Sequence, residues 1–259
     1  MTLRKSISFL FAIGVMTIAP SSPSFAINPP VLVAQLSASE LFDRAYEKQQ
    51  KGDYRGAIAD YTQAIRLQPD FLAAYGNRGN SKARLGDYRG AIADYDQVLK
   101  LNPNDPLAYL NRGDARSTLG DKKGAIADYT QAIKLKPDYA DAYYNRGTDR
   151  AEIGDRKGAI ADYTKTIELD PEYIGAYGNR GNARADMKDF QGAISDYNQV
   201  LRIDANDPLA YYNRARVRAM MGDRKNAIAD YQKAIQLAQN AGNTRLRQNA
   251  INALRALQR

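Results

Sequence analysis

The chain has 259 residues and a formal net charge of +8, because 37 lysines and arginines outnumber 29 aspartates and glutamates. It contains no cysteine and no histidine, which excludes disulfides, thiolate nucleophiles, imidazole bases and the usual zinc ligands. The basic balance favours acidic partners such as nucleic acid or an anionic membrane surface.

Residues 1–26 have the pattern of a secretory signal peptide. Two basic residues precede an apolar run from Ile7 to Ala19, and small residues follow at Ser24 and Ala26. We therefore expect cleavage after Ala26 and export to a periplasm, a thylakoid lumen or the exterior. The apolar run is shorter than the about 20 residues that a membrane-spanning helix needs, and an uncleaved N-terminal anchor is the alternative.

Residues 27–37 form a short lead-in linker, and Ser37 with Glu40 predicts a capping box at the start of the first helix. No second apolar stretch follows. We therefore expect no membrane span in the mature chain.

A 34-residue spacing organises residues 38–240. Gly-Asp recurs at this interval in five units, and Lys188-Asp189 fills the slot in the fifth. GAIADY or a close variant follows in all six successive units. A period of this length predicts a solenoid, because a single unit cannot bury its apolar face alone.

Each unit divides into two predicted helices. In the second unit, Gly86-Asp87 breaks the chain between them, with Asp87 as the N-cap of the second helix. That helix carries an apolar stripe at helical spacing: Ala91, Ile92, Tyr95, Val98 and Leu99. After the sixth unit, Thr244 to Gln258 predicts one more amphipathic helix, within a C-terminal cap of residues 241–259. The prediction is all-helical, with thirteen helices in the mature chain.

The repeat resembles the tetratricopeptide repeat over Ala38 to Asn240, on five residues of the second unit: Tyr75, Gly79, Ala91, Tyr95 and Pro103. Arginine precedes the glycine position in all six units, as in Asn-Arg-Gly repeats common in bacterial and especially cyanobacterial proteins. The closing proline is replaced by Ala205 and Gln239 in the last two units. The resemblance implies a right-handed superhelical solenoid whose first helices line a concave, peptide-binding groove.

An arginine and an aspartate recur in every unit, on the first and second helix respectively. The aspartate faces inward, so we expect structural ion pairs among these residues: Arg78, Arg112, Arg146, Asp94, Asp128 and Asp162. A second basic residue follows the arginine four positions later. The alternative is that these surplus basic residues form anion sites.

Asparagine recurs in the first helix of the units, on the face opposite the one that packs in the core. This asparagine ladder comprises Asn77, Asn111, Asn145, Asn179 and Asn213. An amide both donates and accepts hydrogen bonds, so the ladder is predicted to hold an extended peptide backbone. Nearby side chains are predicted to assist: Asn80, Asn182, Tyr144 and Tyr212. The alternative is that the asparagines bond to the neighbouring helix.

No motif indicates catalysis, a metal site or a cofactor, and the remaining carboxylates are scattered over helix surfaces. We therefore predict an exported, non-enzymatic scaffold that binds a protein or peptide in its groove. The alternative partner is an anionic polymer or lipid surface, attracted by the positive charge. Export makes nucleic acid an unfavoured partner.

Overall fold

The computed structural model describes residues 36–259, so the predicted signal peptide and nearly all of the lead-in linker lie outside the described residues. This part of the chain contains thirteen α-helices and no strand, as predicted. None of these helices is both long and apolar enough to cross a membrane. The helices are α1 Ala38–Gln50, α2 Tyr54–Leu67, α3 Leu72–Arg84, α4 Tyr88–Leu101, α5 Pro106–Thr118, α6 Lys122–Leu135, α7 Ala140–Glu152, α8 Arg156–Leu169, α9 Ile174–Asp186, α10 Phe190–Ile203, α11 Pro208–Met220, α12 Arg224–Asn240 and α13 Thr244–Gln258.

The helices pack in sequence order, each odd-numbered helix from α1 to α11 against the even-numbered helix that follows it. Successive odd-numbered helices also contact one another, whereas no two even-numbered helices of residues 36–259 are in contact. The array therefore curves toward the odd-numbered helices. Their outward face forms the concave side of the solenoid, called the groove below.

Each turn between paired helices combines a left-handed residue with an aspartate cap. Gly86 has φ +83°, and the side chain of Asp87 then accepts a hydrogen bond from the backbone N–H of Gly90. Glycine adopts this conformation without steric cost. In the fifth pair Lys188 occupies the glycine position with φ 65°, so the turn survives there at some cost in backbone strain.

The core lies between paired helices and is built from tyrosine against glycine. Tyr129 is 1% exposed, and a Cβ atom added to Gly113 would lie 2.6 Å from its ring. The glycine therefore allows α5 and α6 to approach closely. The same contact recurs in three other pairs with Gly79, Gly147 and Gly181, whereas the buried residues Ala45 and Ala215 take this position in the first and sixth pairs.

Helix α13 covers the last pair. Leu246 and Ala250 are buried, and Ala250 belongs to a cluster that includes Tyr231. Arg247 of this helix is half-buried. Its Nε atom is buried and has no hydrogen-bond partner among the described residues.

Candidate functional site

A buried carboxylate lies between the two helices of every pair. Arg78 binds Asp94 with two hydrogen bonds, of 2.9 Å from Nε and 2.6 Å from Nη2. The Nζ atom of Lys82 lies 2.8 Å from the same carboxylate. The arrangement recurs as Arg44 with Asp60, Arg112 with Asp128, Arg146 with Asp162, Arg180 with Asp196 and Arg214 with Asp230.

These contacts favour a structural role for the repeated charges. The six aspartates are buried, and each faces two positive side chains from its own pair, so the surplus basic residues are engaged with a carboxylate. Each arginine after the first pair also lies over a tyrosine ring, as Arg78 does over Tyr75 at 5.5 Å. The hydrogen bond from Arg44 is the main cause that lowers the pKa of Asp60.

The asparagine ladder lies on the groove, and four of its members bond to the preceding odd-numbered helix. Asn111 donates from Nδ2 to Asn80 at 3.3 Å, and Asn145 donates to Asp114 at 2.8 Å. Further along, Asn179 donates to the hydroxyl of Tyr144 and Asn213 donates to Asn182. Asn77 forms no side-chain hydrogen bond with residues 36–259. The asparagines thus join neighbouring pairs, as in the alternative considered for them.

A second ladder, not recognised as a whole from the sequence, runs three residues after the asparagines. We call it the acceptor ladder; it comprises Asn80, Asp114, Thr148 and Asn182. Each of its members accepts a hydrogen bond from the buried tyrosine of its own pair, as Asn80 does from the Tyr95 hydroxyl at 2.8 Å. The 34-residue spacing could have revealed Asp114 and Thr148, but their chemistry differs from asparagine.

The carboxylate of Asp114 determines the direction of its hydrogen bond with Asn145. An ionised carboxylate can only accept, so the amide of Asn145 must donate through Nδ2 and its Oδ1 is left without a partner among the described residues. The same orientation in the other pairs leaves open acceptors on Asn111, Asn179 and Asn213. Asn80 and Asn182 accept through Oδ1, and their Nδ2 donors have no partner among residues 36–259.

The predicted contacts at Tyr144 and Tyr212 are largely taken up inside the solenoid. The Tyr144 ring packs against Tyr173 with centroids 4.8 Å apart, and Tyr212 packs against Tyr231 at 5.9 Å. Both side chains are half-buried. Tyr173 directly precedes α9 and Tyr231 belongs to α12, so both rings pack between helices.

Open hollows lie between successive odd-numbered helices along the groove. A hollow of about 360 Å³ separates α3 from α5, and one of about 210 Å³ separates α7 from α9. Two more, of about 410 and 140 Å³, adjoin each other between α9 and α11. Both asparagine and acceptor ladders contribute to their linings, together with small residues such as Ala83 and Ala185. No group of metal-binding side chains comes together within residues 36–259.

Three family profiles match the chain. A tetratricopeptide repeat profile matches residues 42–106, 77–140 and 110–174. A TPR repeat profile matches residues 181–222, and a further tetratricopeptide repeat profile matches 208–241. No curated protein sequence matches the chain.

Solved structures of helical repeat proteins superpose on the chain. MamA is 28% identical with a TM-score of 0.61, covering 62% of this chain and 94% of its own. YrrB, described as a TPR protein with an unusual peptide-binding site, is 23% identical with a TM-score of 0.64, covering 74% and 97%. A tetratricopeptide repeat protein from Parabacteroides merdae is 19% identical with a TM-score of 0.66, covering 85% and 93%.

Proposed function

The chain belongs to the tetratricopeptide repeat family, and on that premise we propose that it is a non-enzymatic scaffold that holds an extended polypeptide segment in its groove. The family fold supports a role in protein interaction. The bound segment, and export of the chain before it binds, are the parts that we propose.

Amide groups in neighbouring helices carry this proposal. Asn80 on α3 offers an open Nδ2 donor, and Asn111 on α5 offers an open Oδ1 acceptor. Asn182 and Asn213 repeat the arrangement three helix pairs further along, on α9 and α11. A polypeptide backbone presents one C=O and one N–H per residue, so each asparagine pair matches it without reading side chains. The bonds between the asparagines hold both amides in position before a ligand arrives, which lowers the entropy cost of binding.

A second candidate partner is an anionic polymer or lipid surface. The chain carries a net charge of +8. Helix α13 and the residue that follows it contain no acidic residue and four arginines: Arg245, Arg247, Arg255 and Arg259. The arginines of the six helix pairs add little to such a surface, because each already faces a carboxylate. We therefore favour the peptide groove.

The test begins with selection of binding peptides from a displayed random library by residues 27–259. A variant with Asn111→Ala, Asn145→Ala and Asn179→Ala removes three groove amides. The matched control changes Gln63, Gln97 and Gln131 to Ala, which removes three exposed amides from even-numbered helices at the same repeat spacing. We expect the asparagine variant to lose about 1 kcal/mol of binding per hydrogen bond, and the control to bind normally.

Two outcomes would contradict the proposal. Equal peptide affinity for the asparagine variant and the glutamine control would place binding outside the groove. A steep loss of affinity with added salt, together with competition by polyglutamate, would indicate an anionic ligand instead. Because the asparagines also join helices, circular dichroism must show that the variant remains folded at the assay temperature.

A further inference from the structure

We infer that the middle of the groove selects a lysine or arginine side chain of the bound segment, and that Asp114 is the residue that contacts it. This inference rests on the proposed peptide-binding function and adds the chemistry of the partner. Asp114 belongs to α5, near the centre of the array.

The acceptor ladder carries a charge at this one position. It presents amides at Asn80 and Asn182, a hydroxyl at Thr148 and a carboxylate at Asp114. The Tyr129 hydroxyl and Asn145 Nδ2 both bind Oδ1 of Asp114, each at 2.8 Å. Its Oδ2 atom has no partner among residues 36–259, and the residue is exposed on the groove. Where the amides offer a donor to a ligand, Asp114 offers only a negatively charged acceptor.

Asp114 also lacks the compensation that the buried carboxylates receive. Asp128, in the same pair, has the guanidinium groups of Arg112 and Arg116 at 2.6 and 2.8 Å. Asp114 forms no ion pair with any described residue. Arg84 lines the far wall of the adjoining hollow on α3, but it does not pair with Asp114. A charge-assisted hydrogen bond therefore remains to be made at this carboxylate by a ligand.

The surroundings of Asp114 are negative although the chain is positive. Desolvation by the surrounding protein raises the pKa of the Asp114 carboxyl above its usual range, and the negative charges of Asp149 and Asp141 raise it further. The hydrogen bonds from Tyr129 and Asn145 act in the opposite direction.

Asp149 is 1% exposed, and one of its carboxylate oxygens is buried without a hydrogen-bond partner among the described residues. Within residues 36–259, Lys122 is the only cation that forms an ion pair with Asp149, and Lys122 also forms an ion pair with Glu152. This excess of negative charge favours a cation in the groove beside Asp114.

The adjoining hollow suits a long basic side chain. It has a volume of about 360 Å³, and Tyr88, Tyr95 and Ala115 line it together with Asp114. The aliphatic stem of lysine or arginine can cover such aromatic and apolar surface while its charged end reaches a carboxylate. The backbone of the same segment would meet the amides of Asn80 and Asn111 at the hollow's other lining positions.

The experiment compares peptide selection by the wild-type chain and by Asp114→Asn. Asparagine is the native residue at this ladder position in Asn80 and Asn182, so the variant keeps an acceptor for Tyr129 and Asn145. The control is Asp138→Asn, which makes the same charge change at an exposed loop between α6 and α7. Wild-type and control selections should enrich lysine or arginine at one peptide position, and Asp114→Asn should lose that preference. Affinity for a wild-type-selected peptide should fall about ten-fold in Asp114→Asn only.

A reciprocal variant tests whether the ladder position itself sets specificity. Asn182→Asp should add a preference for a second basic residue in the selected peptides. Groove-dependent peptides that show no basic preference, or one that survives Asp114→Asn, would overturn this inference and leave the proposed function standing. Failure to select any peptide whose binding depends on the asparagine ladder would overturn both.

Discussion

At the residue scale, the aspartate that recurs in the second helix of each pair is balanced by basic side chains of its own pair. Asp128 is 3% exposed and receives hydrogen bonds from Arg112 and Arg116, both of its own pair. Arg112 also bonds Asp96 on the surface of α4, which links it to the preceding pair. A buried ion pair adds little to stability over an apolar replacement, but removal of one partner leaves an uncompensated charge.

Replacement of Asp128 by alanine should therefore destabilise the fold strongly. It leaves two arginines without their buried carboxylate, and we expect a loss of about 3–5 kcal/mol in the free energy of unfolding. Urea denaturation followed by circular dichroism measures it. Asp138→Ala is the control, because Asp138 is an exposed loop residue. Similar losses for the two variants would mean that the buried network is solvated enough to tolerate the change.

At the scale of single elements, the ends of the helices follow local sequence signals. Prolines lie two residues beyond the ends of α2 and α4, whereas Gln239 replaces this proline in the last pair. Helix α12 runs for 17 residues instead of the 14 of its counterparts. Loss of the proline permits the longer helix but does not by itself produce it, because α10 also has 14 residues although Ala205 replaces its proline. The extra turn carries Ala238, which is fully buried where α13 packs on α12. Helix α13 thereby covers an apolar face that would otherwise end the array in solvent.

Deletion of Thr244 to Arg259 should lower the melting temperature and increase binding of a hydrophobic dye. The deletion exposes Tyr231 and Ala234, which are buried in the intact chain. Differential scanning calorimetry and dye fluorescence measure the two effects. The matched control, Arg255→Ala with Arg259→Ala, changes only exposed residues of the same segment. An unchanged melting temperature for the deletion would exclude a capping role for α13.

At the scale of the whole array, residues 36–259 form a linear series of helices whose contacts are mostly between neighbouring elements. Each helix packs on the one before and the one after it, and only odd-numbered helices meet across a pair. Stability in such an array is approximately a sum of local terms, and the groove exists because several units stack in register. The proposed site is therefore a property of the array, although each unit from the second to the sixth supplies only one or two groove amides.

Export is the prediction that concerns the whole chain. If residues 1–26 are a signal peptide, protein recovered from outside the cytoplasm should begin at Ile27, and intact-mass spectrometry should show loss of the first 26 residues. A variant with Ala26→Arg removes the small residue at the cleavage position and should retain the segment. Full-length wild-type protein held in the membrane fraction would instead indicate an N-terminal anchor.

The amino-acid sequence alone was sufficient to predict the helices, their number and the family. Local signals decide these features: the 34-residue spacing, the Gly-Asp turns and the apolar stripes all act within one unit. The inward position of Asp94 could likewise be read from its angular place on one helix, and a buried charge needs a partner.

The tertiary structure decided which atoms of the groove remain available to a ligand. Asn145 meets Asp114 across 31 residues of sequence, and that contact depends on how one pair stacks on the next. Helical periodicity specifies the face of a side chain, but not the group that the neighbouring helix brings opposite it. For that reason the sequence predicted amides free to donate and accept, whereas stacking uses the donor of Asn145 and leaves its acceptor open beside an unpaired carboxylate.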